Sequence, residues 1–160
     1  MRLVPLLRRG LALALLAGAA LATSAPPLTL EQQARKAEVI VQATIGAPIS
    51  VTENAQSYAV YPLKVSATLA GDAASLPQAS GGPALYLLAG VEGQPTFSPG
   101  QEALLLLYKG RMDSPIVGFN QGVYLISNGQ VSAPAGSKVL EKTQTPAELK
   151  AAIVAARVAK

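Results

Sequence analysis

The chain has no cysteine and no histidine among its 160 residues. Without cysteine it can form no disulfide, so the fold has to be held by burial alone. Without histidine it lacks the commonest general base and any Ser-His or Cys-His catalytic pair, and the usual zinc ligands are missing. Tryptophan is also absent and phenylalanine occurs twice. A hydrophobic core must therefore consist of Leu, Val, Ile and Ala with a few tyrosines.

The remaining polar residues form no pattern that is typical of an enzyme. The nine acidic residues are dispersed, and no D-x-D-x-D calcium loop occurs. No glycine-rich loop followed by Lys is present to bind a phosphate. Ser137 and Lys138 are adjacent, but they lie in a segment whose composition predicts a loop, where sequence neighbours rarely face each other. We therefore predict no metal, no cofactor and no enzymatic activity, with a Ser-Lys hydrolase as the least favoured alternative.

The N-terminal residues have the three parts of a secretory signal peptide. Three arginines come first, an apolar run follows at 11–22, and this run ends in the small-x-small pattern of a cleavage site. A transmembrane helix needs about 20 apolar residues, which is more than this run offers. We predict a signal peptide over 1–22 and a secreted or periplasmic protein with no stable membrane anchor after cleavage. An uncleaved anchor is the alternative.

The net charge of +4 belongs largely to this leader. Beyond its three arginines, ten basic residues stand against nine acidic ones, and they are scattered along the chain. A balance so close to neutral gives no reason to expect binding to nucleic acid or to a membrane surface. We expect neither as a partner.

Hydrophobic patterning predicts a mainly β protein flanked by two helices. A capping box at Thr29–Gln32 predicts a short helix over 30–36, and Thr145, Pro146 and Glu148 predict a C-terminal helix over 145–160. Whether that helix docks or protrudes stays open. Runs of β-branched or alternating residues predict strands at 38–45, 58–69, 83–88, 103–108, 116–119 and 123–126.

Three of these segments carry further information. In 58–69, alternation places the odd-numbered residues on the core side, and Pro62 predicts an edge strand or a bulge because proline cannot donate to a ladder. Both faces of 103–108 are apolar, which predicts a central strand covered on both sides. Asn128-Gly129 is typical of a two-residue hairpin turn. The spacing of the short strands is typical of a small barrel or a sandwich. We divide the chain into this β domain at 28–133, a linker at 134–144 and the C-terminal helix.

Four segments occur in a fixed order: AEVIVQATI, YPLKVSATLAG, GQPTFSPGQEALLLLY and IVGFNQGVYLI. Together they resemble a family of uncharacterised exported bacterial proteins over about 28–127. The most specific motifs are G-x-P-x-F-x-P-G at 93–100 and G-x-x-Q-G at 118–122. The chain departs from the family's pattern at three places: Glu38, Ala43 and Gln101-Glu102.

This resemblance implies a small antiparallel OB-like barrel, similar to netrin-like and metalloprotease-inhibitor domains. It implies no particular activity. Inhibition of an exported protease is an alternative function, although inhibitors of that kind use a cysteine-bound N-terminus that this chain lacks. The favoured interpretation is an exported, non-catalytic β-barrel module that binds another protein or a cell-envelope component.

The two motifs place aromatic and polar side chains in loops, where binding residues of barrels are often found. We predict a binding face made by four residues: Phe97, Asn120, Gln121 and Tyr124. The structural alternative is that Phe97 plugs one end of the barrel, that the prolines stiffen the crossing, and that Gly122 supplies a positive φ.

Overall fold

The structure is a computed structural model that describes residues 25–133 and 144–159. The predicted signal peptide and nearly all of the predicted linker lie outside the described residues. Within the described part of the chain, no helix has both the length and the hydropathy that crossing a membrane requires.

Eight strands lie between two helices. The helices are α1, Leu30–Lys36, and α2, Pro146–Val158. The first four strands are β1 (Val39–Ile45), β2 (Ile49–Glu53), β3 (Gln56–Ala70) and β4 (Gln78–Ala79). The last four strands are β5 (Gly82–Leu88), β6 (Glu102–Leu107), β7 (Val123–Ser127) and β8 (Gln130–Ser132). One turn of 3₁₀ helix, Ala73–Ser75, separates β3 from β4.

All strand pairs are antiparallel and belong to one sheet. The order is β4-β5-β3-β1-β6-β7-β8, and β2 pairs with β3 beside this path. The prediction of a mainly β chain with two helices is confirmed. The described strands do not close into a barrel, because β4 and β8 end the path without pairing with each other.

Strand β6 lies near the centre of the sheet, as its two apolar faces predict. Residues 103–107 are each at most 1% exposed, because one core covers each face of the strand. The strand-side core contains Ala103, Leu105 and Leu107 of β6, together with Val39, Val41, Ala43, Ile45, Tyr61, Leu63, Leu76, Leu85, Leu87, Phe97, Ile116 and Val123. The helix-side core contains Leu104 and Leu106, together with Ala34, Ala37, Ile40, Val117, Tyr124, Val131, Leu149 and Ile153.

Strand β3 changes its neighbours along its 15 residues. Residues 56–60 pair with β2 and residues 58–62 pair with β5, whereas Leu63–Ala70 pair only with β1 among the described residues. The predicted edge therefore begins directly after Pro62, whose carbonyl accepts a bond of 2.8 Å from the Gly46 amide. Two register shifts against β1 lie further along this edge and not at Pro62.

Two strand predictions need correction. Strand β2 was not predicted; it forms a hairpin with β3 through Asn54 and Ala55, whose φ angles are 51° and 62°. Residues 116–119 are not a strand, because only Ile116 bridges to Leu107 before the chain turns. The hairpin predicted at Asn128-Gly129 is confirmed and joins β7 to β8.

The C-terminal helix docks on the helix-side core through Leu149 and Ile153, which are fully buried. Both predicted capping boxes are present. Each helix also caps the C-terminal end of the other. Arg157 of α2 donates to the carbonyls of Ala34 and Ala37 at 2.6 and 2.9 Å.

The reverse contact comes from Arg35 of α1, which donates to the carbonyls of Ala156, at 3.3 Å, and Ala159. A cation near the last carbonyls of a helix stabilises it. The two helices therefore hold each other by side-chain to main-chain bonds as well as by apolar packing.

Candidate functional site

Two glycine-rich loops meet at one side of the sheet. Loop A is residues 89–101, between β5 and β6, and loop B is residues 108–122, between β6 and β7. The Gln94 side-chain amide donates to the Asp113 carbonyl at 2.6 Å, and the Asn120 side-chain amide donates to the Gly93 carbonyl at 3.0 Å. Two side-chain to main-chain bonds thus join the loops that carry the two sequence motifs.

Phe97 of loop A points into the strand-side core and is 7% exposed. Its ring meets the Tyr61 ring edge-on, with centroids 5.2 Å apart. The turn after it is fixed by Gly100, which has a φ of 83° and whose amide donates to the Ile45 carbonyl at 2.8 Å. Phe97 is therefore a core residue, and the described strands form no closed barrel for it to plug.

Tyr124 is fully buried in the helix-side core, on the opposite face of the sheet from Phe97. Its hydroxyl donates to Gln33 Oε1 at 2.6 Å, and Gln33 Nε2 donates to the Leu28 carbonyl at 3.1 Å. Burial raises the pKa of Tyr124. Tyr124 therefore serves as a neutral donor that fixes helix α1 to the sheet.

Gln121 holds the chain that leads into α1. Its Oε1 accepts from the Leu28 amide at 2.6 Å, while its Nε2 donates to the Pro26 carbonyl at 2.9 Å. A side-chain amide has one donor side and one acceptor side, which match the carbonyl and the amide that flank Pro27. Gln121 thus acts as a clamp on the main chain of 26–28.

The glycines of the G-x-x-Q-G motif make this clamp possible. A Cβ on Gly118 would lie 3.0 Å from the Gln121 side chain, and Gly118 has a φ of 65°. A Cβ on Gly122 would lie 2.7 Å from the Leu106 carbonyl oxygen. The positive φ predicted for Gly122 is wrong: it belongs to Gly118, and Gly122 is needed for close approach to β6.

The four predicted site residues therefore do not point to one surface. Asn120 joins the two loops, and Gln121 and Tyr124 both hold the segment before and within α1. Phe97 lies in the other core. The contacts that the structure describes for them are internal, and their role in binding stays a prediction.

Phe119, the chain's other phenylalanine, was missed by the sequence analysis. It has a φ of 73° and its side chain is half-buried. An atom of its ring lies 3.5 Å from the place that a Cβ on Gly93 would take, so the ring packs on loop A. Its carbonyl accepts from the Ser114 hydroxyl at 2.5 Å. No sequence signal assigns a left-handed conformation to a phenylalanine.

An open depression of about 500 Å³ lies elsewhere, where β1 and β3 meet the β4–β5 turn. Its lining consists mainly of main chain and small side chains around Gly46, Pro62 and Gly81, and Lys64 is its one charged residue. Within 25–133 and 144–159, no group of three or more Asp or Glu side chains is placed to hold a metal ion. Its polar side chains are those of Thr44, Lys64 and Ser80, without a carboxylate or amide beside them, so it is a weaker candidate than the two loops.

Comparison with known proteins found no matching family model, no matching curated protein and no matching solved structure.

Proposed function

We propose that this chain is an exported, non-catalytic module that binds a protein or another component of the cell envelope through the surface around Phe119. The observation that carries the proposal is that Phe119, a partly exposed aromatic residue, has a positive φ in a loop that is bonded to a second loop. Export rests on the predicted signal peptide.

Backbone strain at Phe119 is the first line of support. A non-glycine residue in the left-handed region costs on the order of 1–3 kcal/mol and persists only where its surroundings enforce it. Here the Phe119 amide donates to the Ile116 carbonyl at 3.0 Å, and the Phe119 carbonyl accepts from Ser114. Such strain tends to occur at functional sites.

The rigidity of the loops is the second line of support. Binding is more favourable when the loops are already ordered in the unbound protein. Partly exposed aromatic side chains often contribute most of the binding energy of an interface. The bonds from Gln94 and Asn120 hold loops A and B in one arrangement around the Phe119 ring.

An OB-like barrel is part of this proposal. Loop A leaves the end of β5, packs Phe97 on Tyr61 and bonds to loop B beside β6 and β7. Arg111 of loop B lies over the Tyr86 ring of β5, 3.8 Å from the ring centroid, and forms an ion pair with Glu53 of β2. These contacts support a barrel whose last gap is bridged by loops instead of by a strand ladder.

The test replaces residue 119 with a photo-crosslinking phenylalanine analogue in cells that produce and export the chain. We expect a reproducible crosslinked product from position 119 and none from the same analogue at Thr68, an exposed residue of β3. Added wild-type chain should compete for this product. Identical products from both positions would contradict the proposal.

Two competitor variants separate binding from folding. Both variants remove the ring and should fail to compete. Phe119→Gly relieves the backbone strain and Phe119→Ala keeps it, so the Gly variant should have a free energy of unfolding about 1 kcal/mol above that of the Ala variant. Full competition by either variant would show that the ring is not part of the binding surface.

A further inference from the structure

Strand β2 has a free edge. It pairs with β3 along its whole length, from Ile49 opposite Val60 to Glu53 opposite Gln56, and no other described strand pairs with it. The side chains of Ser50 and Thr52 are exposed, and Ile49 is 42% exposed. This edge is accessible.

The path of loop A explains why the edge is free. Strand β1 leads into β2, and its edge away from β3 pairs with β6. Strand β6 begins only at Glu102, so it does not extend alongside β2. The residues before it turn at Pro99 and Gly100, and Phe97 enters the strand-side core. No part of loop A continues alongside β2.

Another free edge, Leu63–Ala70 of β3, differs from this one in its protection. It follows Pro62, carries Lys64 and has two register shifts against β1. Proline, lysine and bulges are the devices that keep edges from pairing with other chains. Strand β2 pairs without any register shift and contains no Pro, Gly or Lys.

The hairpin fixes which main-chain groups of β2 point outward. Its turn has two residues, so Glu53 and Gln56 form the hydrogen-bonded pair that closes it. Alternation then directs the amide and carbonyl groups of Ser50 and Thr52 away from β3. The Ser57 carbonyl, opposite Thr52, correspondingly points to the other side and accepts from the Ala89 amide at 2.7 Å.

We propose that β2 pairs in antiparallel fashion with β2 of a second copy of this chain, with Val51 opposite Val51. In this register Ser50 of each copy lies opposite Thr52 of the other, so the outward amides and carbonyls meet as hydrogen-bonded pairs. Hydroxyl side chains directly opposite each other are favourable cross-strand neighbours.

Charge and apolar contacts fit the same register. The only charged residue of β2, Glu53, lies opposite Ile49 of the second copy and not opposite its own counterpart. Val51 is half-buried at the rim of a small apolar cluster around Val60 and Tyr86. Contact between the two Val51 side chains joins this cluster to its copy. The pairing is isologous, as expected for a two-fold dimer.

The absence of cysteine allows a direct test of the register. Opposed residues of a non-hydrogen-bonded pair have Cα atoms about 4.5 Å apart, within the range of a disulfide. We expect Val51→Cys to give a disulfide-linked dimer under mild oxidation. Ile49→Cys should not, because its counterpart lies four residues away, ~13 Å along the strand. Mixing Ile49→Cys with Glu53→Cys chains should give the mixed dimer.

A matched control and a second variant complete the test. Thr68→Cys, on the protected edge of β3, should stay monomeric. Thr52→Pro removes one outward amide, and sedimentation should show loss of the dimer that the wild-type chain forms at high concentration. A monomeric Val51→Cys chain, or equal oxidation at positions 49, 51 and 68, would overturn the proposal. A partner peptide that binds this edge while the chain stays monomeric would overturn it as well.

Discussion

The strand-side and helix-side cores lie on the two faces of the same strand, β6, but they are closed in different ways. The strand-side core is covered by β1, β3 and β5, which are joined to β6 by a continuous ladder, and by Phe97. The helix-side core is covered by α1 and α2, which are attached through side-chain bonds such as Tyr124 to Gln33. The strand-side face is thus fixed by strand ladders, whereas the helix-side face is fixed mainly by side-chain contacts and by one main-chain bond between Val131 and Gln144.

This difference has a consequence for unfolding. Local opening is favoured where few main-chain bonds have to break. We therefore expect the helices to separate from the sheet before the sheet itself opens, and the substitutions below test that order.

The largest effect is expected from a charge in either core. In Leu105→Asp the carboxylate faces the strand-side core, and burial of an unpaired charge costs enough to exceed a total stability of about 5–15 kcal/mol. Circular dichroism should show no folded chain. In Leu106→Asp the charge reaches water if α1 and α2 separate, so the β signal should persist while the helical signal falls. Identical spectra for the two variants would contradict the comparison.

Loss of the Tyr124 hydroxyl should have the next largest effect. Tyr124→Phe leaves the Gln33 Oε1 atom buried without its donor, which costs about 1–3 kcal/mol. The double variant Tyr124→Phe with Gln33→Leu removes both partners and should recover much of that loss. Denaturant unfolding of the single and double variants measures the coupling free energy between the two side chains. Additive losses of stability would show that this bond does not hold α1.

A smaller effect is expected from the arginines that join the two helices. Arg157→Ala removes two bonds to α1 carbonyls and should lower the free energy of unfolding by about 1–2 kcal/mol. Arg35→Ala should cost under about 1 kcal/mol, because its bonds to the Ala156 and Ala159 carbonyls and its ion pair with Glu31 are all exposed, whereas the Arg157 bonds are partly buried. Thermal melts of both variants check the ranking, and a larger loss for Arg35→Ala would reverse it.

The smallest effect concerns pH and distinguishes the two capping boxes. The pKa of Glu148 is lowered by hydrogen bonds from the Thr145 amide and hydroxyl. The stabilisation of α2 by the Glu148 carboxylate is therefore complete above the ordinary Glu pKa of 4.5. It is lost as the pH falls through the lowered pKa. The box of α1 uses the neutral Gln32 and does not titrate.

Glu148→Gln should keep the α2 box and remove its acid sensitivity. Helicity of α2 should then stay constant through the acid range in the variant and decline in the wild-type chain. An unchanged acid titration in the variant would show that another group controls the docking of α2.

Much of the fold follows from local signals in the sequence. The runs at 103–107 and 123–127 have strong β patterns, and both capping boxes have complete side-chain pairs, so local chemistry alone predicts these elements. Strand β2 was missed because its turn, Asn54-Ala55, lacks the glycine that marks such turns. Residues 116–119 were assigned as a strand because apolar composition does not reveal a positive φ.

The candidate site shows a different limit. Sequence analysis selected the two loops because glycine and proline mark them, and their role in binding stays a prediction. It could not distinguish side chains that hold the loops from side chains that face solvent, since Gln121 clamps residues 26 and 28, which are more than ninety positions away. Phe119 was missed for a related reason: its conformation is imposed by Ser114 and Ile116 and not by its own preference.

Residue-resolved hydrogen exchange tests the comparison of the two faces most directly. We expect the slowest exchange for the amides of Leu104, Leu105 and Leu106 in β6. The amides of α1 and α2 should exchange faster and together, as one opening unit. The outward amides of Ser50 and Thr52 should be protected only if β2 pairs with a second copy. Exchange of the α2 amides as slow as that of β6 would contradict the account, because the helices would then open only when the sheet does.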